Sequence, residues 1–212
     1  MMTPAPTRAL GEPPFDAVLC DVDNVIRFYD PSGLTALERA VGLAEGTTAK
    51  VAFAPEAVRP VLLGRITPQE WVLSIVDGLT GLVSGTQAHE LGKALIELPF
   101  GADGTVVSLL RRARTRMPLV LVTNATVQLE ADLASLGLSD LADHVVSSAR
   151  VGLVKPDPRI FELAAARAGV RLDRCLFVDD TRENVDAAAA LGLRAVHFHE
   201  ATDLERALAP LL

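Results

Sequence analysis

A chain of 212 residues fits one large domain, or one domain that carries an insertion. Hydrophobic residues make up 50% of it and charged residues 22%, so the chain can bury a core and is not expected to be disordered. Its formal net charge of −7 argues against a nucleic acid or an anionic membrane as a partner, because both require a basic protein surface.

Membrane insertion, secretion and disulfide bonding are not expected. No apolar run approaches the roughly 20 residues that span a bilayer. Residues 1–14 are rich in proline and predict a flexible leader that lacks the apolar stretch of a secretory signal. The two cysteines, Cys20 and Cys175, are too few for a metal cluster or a disulfide framework. We therefore expect a protein of the reducing cytoplasm.

The first predicted strand is followed by a long helical segment. Residues 15–20 form a short apolar run that is typical of a strand covered on both faces. Residues 30–99 are too many for a loop, since unstructured connections beyond about 12–15 residues are uncommon. Their periodicity predicts helices over residues 34–43, 56–63, 67–79 and 87–98. The third of these begins at a capping box that Thr67 and Glu70 can form, so the segment predicts a small helical insert.

Strands and helices alternate over the rest of the chain. The predicted strands cover residues 118–122, 144–146, 175–178 and 194–198. The predicted helices cover residues 125–136, 158–169 and 181–191, and each ends at or beside a glycine suited to a left-handed C-cap. Because parallel strands joined by helices bury both faces of their sheet, this alternation predicts an α/β fold with a doubly wound parallel sheet.

Four polar clusters follow the predicted strands. In chain order they are Asp21 with Asp23, Thr123 with Asn124, Lys155, and Asp179 with Asp180 and Asn184. Ligands of open α/β sheets bind at the carboxyl ends of the strands, so we expect the clusters to meet in one crevice. Asp21 and Asp180 can supply the carboxylate oxygens that Mg²⁺ prefers, and the cation together with Lys155 would offset the gathered negative charge.

The order of these motifs resembles a known family. DVDNVIR, LVTNA, KPDPRIF and VDDTRENVDAA look like motifs I to IV of the haloacid dehalogenase superfamily, and the resemblance covers residues 15–200. The helical insert is similar to the C1 cap of subfamily IA members related to sugar-phosphate phosphatases. The resemblance implies a Rossmann-like core of residues 15–29 and 100–212 with the strand order 5-4-1-2-3. It also implies a helical cap over residues 30–99.

The resemblance implies a role for each core residue. Asp21 would be the nucleophile that forms an aspartyl-phosphate, and Asp23 would act first as the general acid and then as the general base. Thr123 and Lys155 would complete the catalytic set. Both would also bind the phosphate, together with the amide of Asn124 at a helix N-terminus.

A Mg²⁺ site is implied in the same way. Its ligands would be Asp21, Asp180 and the main-chain carbonyl of Asp23, while Asp179 and Asn184 would orient metal-bound water in the outer shell. Asn24 departs from the glycine that many members have at the turn after motif I, but asparagine tolerates left-handed geometry.

These residues favour a Mg²⁺-dependent phosphatase that acts on a small phosphorylated metabolite. A phosphomutase stays open because it would share every core residue. A 2-haloacid dehalogenase would direct Asp21 at carbon without a metal and typically lacks a carboxylate at the position of Asp23. A phospho-receiver-like binding module carries its acidic pair before the phosphorylated aspartate rather than after the lysine. Arg27, Phe28 and Arg65 are candidates for the mouth of the site.

Overall fold

The computed structural model describes residues 14–211, so all but one residue of the predicted leader lie outside the described part of the chain. The strands are β1 (Ala17–Cys20), β2 (Arg27–Tyr29), β3 (Phe100–Ala102), β4 (Leu119–Thr123), β5 (His144–Ser147), β6 (Cys175–Asp179) and β7 (Arg194–His197). The helices are α1 (Ser32–Ala40), α2 (Thr47–Ala52), α3 (Pro55–Leu62), α4 (Pro68–Gly78), α5 (Gly85–Ile96), α6 (Gly104–Arg114), α7 (Leu129–Ser135), α8 (Ser148–Val151), α9 (Pro158–Ala168), α10 (Arg182–Ala190) and α11 (Ala201–Leu208). Between residues 14 and 211, no helix is both long and apolar enough to cross a membrane.

Five strands form one parallel sheet in the order β5-β4-β1-β6-β7. Counted along the chain, the sheet strands are β1, β4, β5, β6 and β7, so this order confirms the predicted 5-4-1-2-3 arrangement. β1 lies at the centre, where Val18 is in register with Leu119 on one side and Leu176 on the other. The strand order reverses at β1, which places the end of β1 at the position where ligands of such sheets bind.

Both faces of the sheet are covered, which explains why its central strand is apolar throughout. Side chains alternate along a strand, and all four residues of β1 are buried. Val18 and Cys20 pack with α6 and α11, whereas Ala17 and Leu19 pack with α9 and α10. The sequence prediction lacked α6 and α11, which cover the first of these faces together with α7.

A third hydrophobic cluster lies within the helical insert. It includes Leu34, Trp71, Ile75, Leu79 and Leu91, drawn from α1, α4, the C-cap residue of α4, and α5. The predicted capping box begins α4: Thr67 Oγ1 accepts the N–H of Glu70, and the Glu70 carboxylate accepts the N–H of Thr67. The insert therefore has an apolar core of its own.

A two-stranded antiparallel ribbon joins the insert to the sheet. β2 pairs with β3, so that Arg27 lies opposite Ala102 and Tyr29 opposite Phe100. The rings of Tyr29 and Phe100 contact edge to face, with centroids 5.8 Å apart. Each strand has only three residues, too few for the period of two to be recognised in the sequence. The ribbon carries Arg27 and Tyr29 to the mouth of the crevice.

One predicted helix starts later than expected. The helix predicted over residues 125–136 begins at Leu129, because the preceding segment is hydrogen-bonded to α8 and does not form a helical turn. The N–H of Ala125 donates to Ser148 Oγ at 3.1 Å, and Ser148 Oγ donates in turn to the carbonyl of Ala125. Residues 124–128 are therefore a loop.

Candidate active site

Asp21 is the first residue after β1, and the sheet fixes its main chain. Its N–H donates to the carbonyl of Val178 at 2.9 Å, which continues the pairing of β1 with β6. The side chain is buried, and its Oδ1 accepts the N–H of Val22 at 2.8 Å. One carboxylate is thus held rigidly at the centre of the sheet edge.

The ammonium of Lys155 forms ion pairs with residues of two of the predicted clusters. Its Nζ lies 2.8 Å from Asp21 Oδ1 and 2.6 Å from Asp179 Oδ2, and all three side chains are buried. The loop that carries Lys155 is held by Asn124, whose Oδ1 accepts the N–H of Lys155 at 2.8 Å and whose Nδ2 donates to its carbonyl at 3.1 Å. Asn124 thereby sets the position of the lysine.

The local structure at Asn124 differs from the prediction. We expected its amide at a helix N-terminus, but α7 starts five residues later, at Leu129. That part of the prediction is wrong, because the side chain of Asn124 is bound to the backbone of Lys155 and the chain after it runs as a loop. Asn124 still lines the cavity beside Thr123 and Lys155.

The two carboxylates at the end of β6 differ in their contacts: that of Asp179 is held by several partners, and that of Asp180 is less constrained. Asp179 Oδ1 accepts the N–H of Thr181 at 2.8 Å and the amide of Asn184 at 3.1 Å, while its Oδ2 contacts Lys155. Asp180 is only partly buried, and its Oδ2 accepts the amide of Asn24 at 3.0 Å. Of the two, Asp180 is therefore the better placed to bind a cation directly.

Three carboxylates meet at this edge of the sheet. Oxygen atoms of Asp21, Asp179 and Asp180 all lie within 4.8 Å of one another. Together with the ammonium of Lys155 they leave an excess of two negative charges, which one divalent cation would neutralise. An all-oxygen donor set suits Mg²⁺, which prefers carboxylate, carbonyl and water ligands.

The charges at this edge also shift one another's pKa values. Burial raises the pKa of the Asp21 carboxyl to about 7, although Lys155 opposes the shift. Burial lowers the pKa of the Lys155 amine, but the attraction of Asp21 and Asp179 outweighs that effect and leaves the pKa above its ordinary value. Lys155 is thus charged, and a cation beside Asp21 would favour the ionised carboxylate.

Thr123 ends β4 and lines the cavity at this edge of the sheet. Its Oγ1 is buried and has no hydrogen-bond partner among the described residues. Thr48 and Ser147 share that property, but of the three only Thr123 lines the cavity. A buried hydroxyl without a partner is costly, so this one is suited to bind a ligand oxygen.

An ion-pair network around Asp23 was not predicted. Arg27 Nε donates to Asp23 Oδ1 at 2.6 Å, and Arg27 Nη1 donates to Asp132 Oδ2 at 2.6 Å. The guanidinium is buried, and it lies 5.0 Å from the centroid of the Tyr29 ring. Neither pair left a signal in the sequence, because residues 23–27 form a turn rather than a helix and Asp132 is distant in sequence.

A second unpredicted contact joins the first and last motifs. Asn24 has a φ of 58°, the left-handed conformation expected at this turn, and its amide donates to Asp180. Glycine could adopt the same backbone but has no side chain to make this bond. Asn24 thereby links the turn after β1 to the cluster after β6.

A cavity of about 540 Å³ opens above these residues. Asp21, Asp23, Thr123, Lys155 and Asp180 line it from the core. Arg27 also lines it, whereas Phe28 and Arg65 do not. Residues of the helical insert also line the cavity, among them Leu34, Phe53 and Trp71.

The core is a doubly wound parallel α/β sheet, and four motif loops lie at one of its edges. The acidic cluster at that edge is paired with Lys155. Residues 15–192 match the family described as haloacid dehalogenase-like hydrolase. The chain belongs to that family.

Curated relatives include several phosphatases. Phosphatase MT3486 of Mycobacterium tuberculosis is 38% identical over 89 residues, which is 41% of this chain and 41% of the relative. Fructose-1-phosphate phosphatase YqaB of Escherichia coli is 35% identical over 92 residues, which is 43% of this chain and 49% of the relative. The matched segment therefore spans less than half of the length of either protein.

Solved structures share the fold over most of the chain. A haloacid dehalogenase family enzyme of Bacteroides thetaiotaomicron, in complex with magnesium and inorganic phosphate, matches with a TM-score of 0.65 and 20% identity. That match covers 84% of this chain and 91% of the other. The L-2-haloacid dehalogenase of Xanthobacter autotrophicus matches with a TM-score of 0.62 and 20% identity, covering 92% of this chain and 82% of the other. At this level of identity, both matches show a shared fold.

Proposed function

We propose that this protein is a Mg²⁺-dependent phosphatase that hydrolyses a small phosphorylated metabolite through an aspartyl-phosphate. One observation carries the proposal: the buried ammonium of Lys155 joins Asp21 to Asp179, beside Asp180 and the unpartnered hydroxyl of Thr123. A carboxylate nucleophile, a fixed cation and a free hydroxyl around one cavity suit phosphoryl transfer, in which catalysis is mostly positioning and charge stabilisation.

The phosphoryl group would bind between the ends of β1 and β4. The hydroxyl of Thr123 would donate to one phosphoryl oxygen, which would satisfy its vacant hydrogen bond. Lys155 would contact another oxygen while keeping its contact with Asp21, and Asn124 would maintain the position of the lysine. The phosphorus would then lie in front of the Asp21 carboxylate.

The reaction would proceed in two displacements. An oxygen of Asp21 attacks phosphorus, the bond from phosphorus to the leaving oxygen breaks, and Asp23, which must be protonated in the substrate complex, donates its proton to that oxygen. Asp23 then removes a proton from water, which attacks phosphorus and releases inorganic phosphate from Asp21. Arg27 contacts Asp23 in this structure and would keep the side chain of Asp23 aimed at the leaving oxygen.

The donor set described above fits a Mg²⁺ ion. Asp21, Asp180 and the main-chain carbonyl of Asp23 would hold it, and Asp179 with Asn184 would orient its bound water from the outer shell. When bound, the ion would supply positive charge that reduces the repulsion between the phosphoryl oxygens and the Asp21 carboxylate. We further propose that residues 30–99 act as the cap over this site.

The comparisons support a phosphatase over the alternatives. The two curated relatives described above are phosphatases by name, and one structural neighbour was crystallised with magnesium and inorganic phosphate. Asp23 and the acidic cluster count against a 2-haloacid dehalogenase, which needs no metal. A phosphomutase would use the same core residues, and analysis of the products would distinguish it.

Steady-state hydrolysis of p-nitrophenyl phosphate tests the proposal. We expect activity with Mg²⁺, loss of activity in EDTA and recovery when Mg²⁺ is restored. Asp21→Asn should lower kcat by about 10⁴-fold or more, since it removes the nucleophile at almost constant volume. Asp186→Asn, at an exposed residue of α10, is the matched control and should retain full activity. Metal-independent release of chloride from 2-chloropropionate, without phosphatase activity, would overturn the proposal.

A further inference from the structure

The insert lines the catalytic cavity with apolar side chains alone. Every residue between positions 30 and 99 that lines the cavity is apolar. Leu34, Phe53, Leu62, Trp71, Leu95 and Leu98 form most of this surface, which we call the cap wall. The single polar group among their side chains, the indole N–H of Trp71, already donates to the carbonyl of Ala52 at 3.1 Å. The cap wall therefore has no free side-chain hydrogen-bond donor or acceptor.

The polar side chains that line the cavity come from outside the insert. Most of those at the sheet edge are committed, whereas Gln128, which also lines the cavity, is exposed. Arg27 is paired with both Asp23 and Asp132, and Asn124 is bound to the backbone of Lys155. Asn24 donates to Asp180. These groups lie at the reacting end of the cavity, where the phosphoryl group would bind.

Phe53 is the most exposed part of the cap wall. Its side chain is 60% exposed, and its ring contacts Trp71 edge to face with centroids 5.7 Å apart. The exposed ring of Phe53, packed on the buried ring of Trp71, offers a surface that an apolar ligand would cover, with a gain from the removal of apolar area from water.

We infer that the leaving group of the substrate is apolar, an alkyl or aryl alcohol rather than a polyhydroxylated sugar; this inference rests on the proposed function. Each sugar hydroxyl buried against the cap wall would lose its hydrogen bonds to water without replacement, which weakens binding by roughly tenfold per group. A hydrocarbon of the same shape has no such loss. The cavity volume, about 540 Å³, accommodates a ligand of ordinary metabolite size.

A matched pair of esters tests the inference. Cyclohexylmethyl phosphate and glucose 6-phosphate share a six-membered ring and a primary ester but differ in the ring hydroxyls. We would measure their dissociation constants by calorimetry on the Asp21→Asn variant with Mg²⁺, where turnover does not interfere. The carbocyclic ester should bind at least tenfold more tightly. Equal affinities, or tighter binding of the sugar phosphate, would overturn the inference.

Tryptophan fluorescence locates the ligand in the same titration. Trp71 is the single tryptophan of the chain and belongs to the cap wall. Cyclohexylmethyl phosphate should change the intensity of its emission, whereas inorganic phosphate should not. Tight binding that leaves the Trp71 emission unchanged would contradict contact with the cap wall.

Two variants of the cap separate specificity from folding. Phe53→Gln should reduce the preference for the carbocyclic ester severalfold and leave inhibition by inorganic phosphate unchanged. Leu73→Gln is the matched control, because Leu73 is 57% exposed on α4 and does not line the cavity. If both variants change the preference equally, the inference fails. If the wild-type enzyme releases no phosphate from either ester or from p-nitrophenyl phosphate, the proposed function fails instead.

Discussion

The two sides of the cavity differ in the charge and the burial of their side chains. At the sheet edge, charged side chains are buried, paired and fixed within 3 Å of one another, as Lys155 is with Asp21 and Asp179. On the cap wall, apolar side chains such as Phe53 and Leu62 lie partly exposed and unpaired. Under the proposed function, chemistry at the first side would depend on a few residues that cannot be exchanged. Selectivity at the second side would depend on shape and on the lack of hydrogen-bonding groups, which several apolar residues can supply.

The largest effect on stability is expected at Lys155. Lys155→Met would leave Asp21 and Asp179 as buried carboxylates without their shared cation, at a cost of about 3–5 kcal/mol in the free energy of unfolding. Denaturation with urea would measure it. Lys93→Met is the control on the insert, because Lys93 is exposed and its ion pair with Glu97 is long, 3.9 Å. The control should change stability by less than about 0.5 kcal/mol, and a similar loss in both variants would contradict the account.

Mg²⁺ should stabilise the folded chain by an amount that increases with its concentration relative to its Kd. At a concentration of 100 times the Kd, a ligand that binds only the folded chain adds about 2.7 kcal/mol. We expect a rise in Tm with Mg²⁺ that Asp180→Asn abolishes, since Asp180 would be a direct ligand. Asp186→Asn should keep the full rise. A rise that persists in Asp180→Asn would place the ion elsewhere.

The effect of Mg²⁺ should depend on pH, with the sign set by Asp21. The metal-free pKa of this carboxyl is raised to about 7, so below that pH the folded protein holds a proton that the cation must displace. The rise in Tm should therefore be full above about pH 8 and decrease as the pH falls through 7. Calorimetry across this range would check it, and a rise that grows toward pH 5 would contradict the assignment.

The smallest effect is expected at the start of α4 in the insert. Thr67→Ala removes the hydroxyl that accepts the N–H of Glu70, at a cost of about 1 kcal/mol. Thr105→Ala, at an exposed position of α6, should be neutral or slightly stabilising because alanine favours a helix. Thermal denaturation would compare them. Equal destabilisation by both variants would show that the capping box contributes nothing.

The sequence was sufficient to predict the sheet and the residues at its edge. Short apolar runs predicted all five strands of the parallel sheet, and Thr67 with Glu70 predicted the start of α4. These features are local: a strand buried on both faces and a helix cap each leave their pattern within a few residues.

Contacts between distant parts of the chain were not predictable in the same way. Arg27 meets Asp132 across 105 positions, and Asn24 meets Asp180 across 156. The loop at Asn124 was mistaken for a helix because its contact with Lys155 outweighs local propensity. By contrast, α6 was a missed local signal, since Asp103 caps it by accepting the N–H groups of Thr105 and Val106.

The central claim is that the carboxylate at the end of β1 becomes phosphorylated during turnover. Acid quenching of the Asp23→Asn variant during hydrolysis of p-nitrophenyl phosphate, followed by borohydride reduction, would convert an aspartyl-phosphate to homoserine, and peptide mass spectrometry would locate it. Loss of the general base should let this species accumulate. We predict homoserine at position 21 alone. Homoserine at Asp179 or Asp180, or none at any position while phosphate is released, would contradict the account.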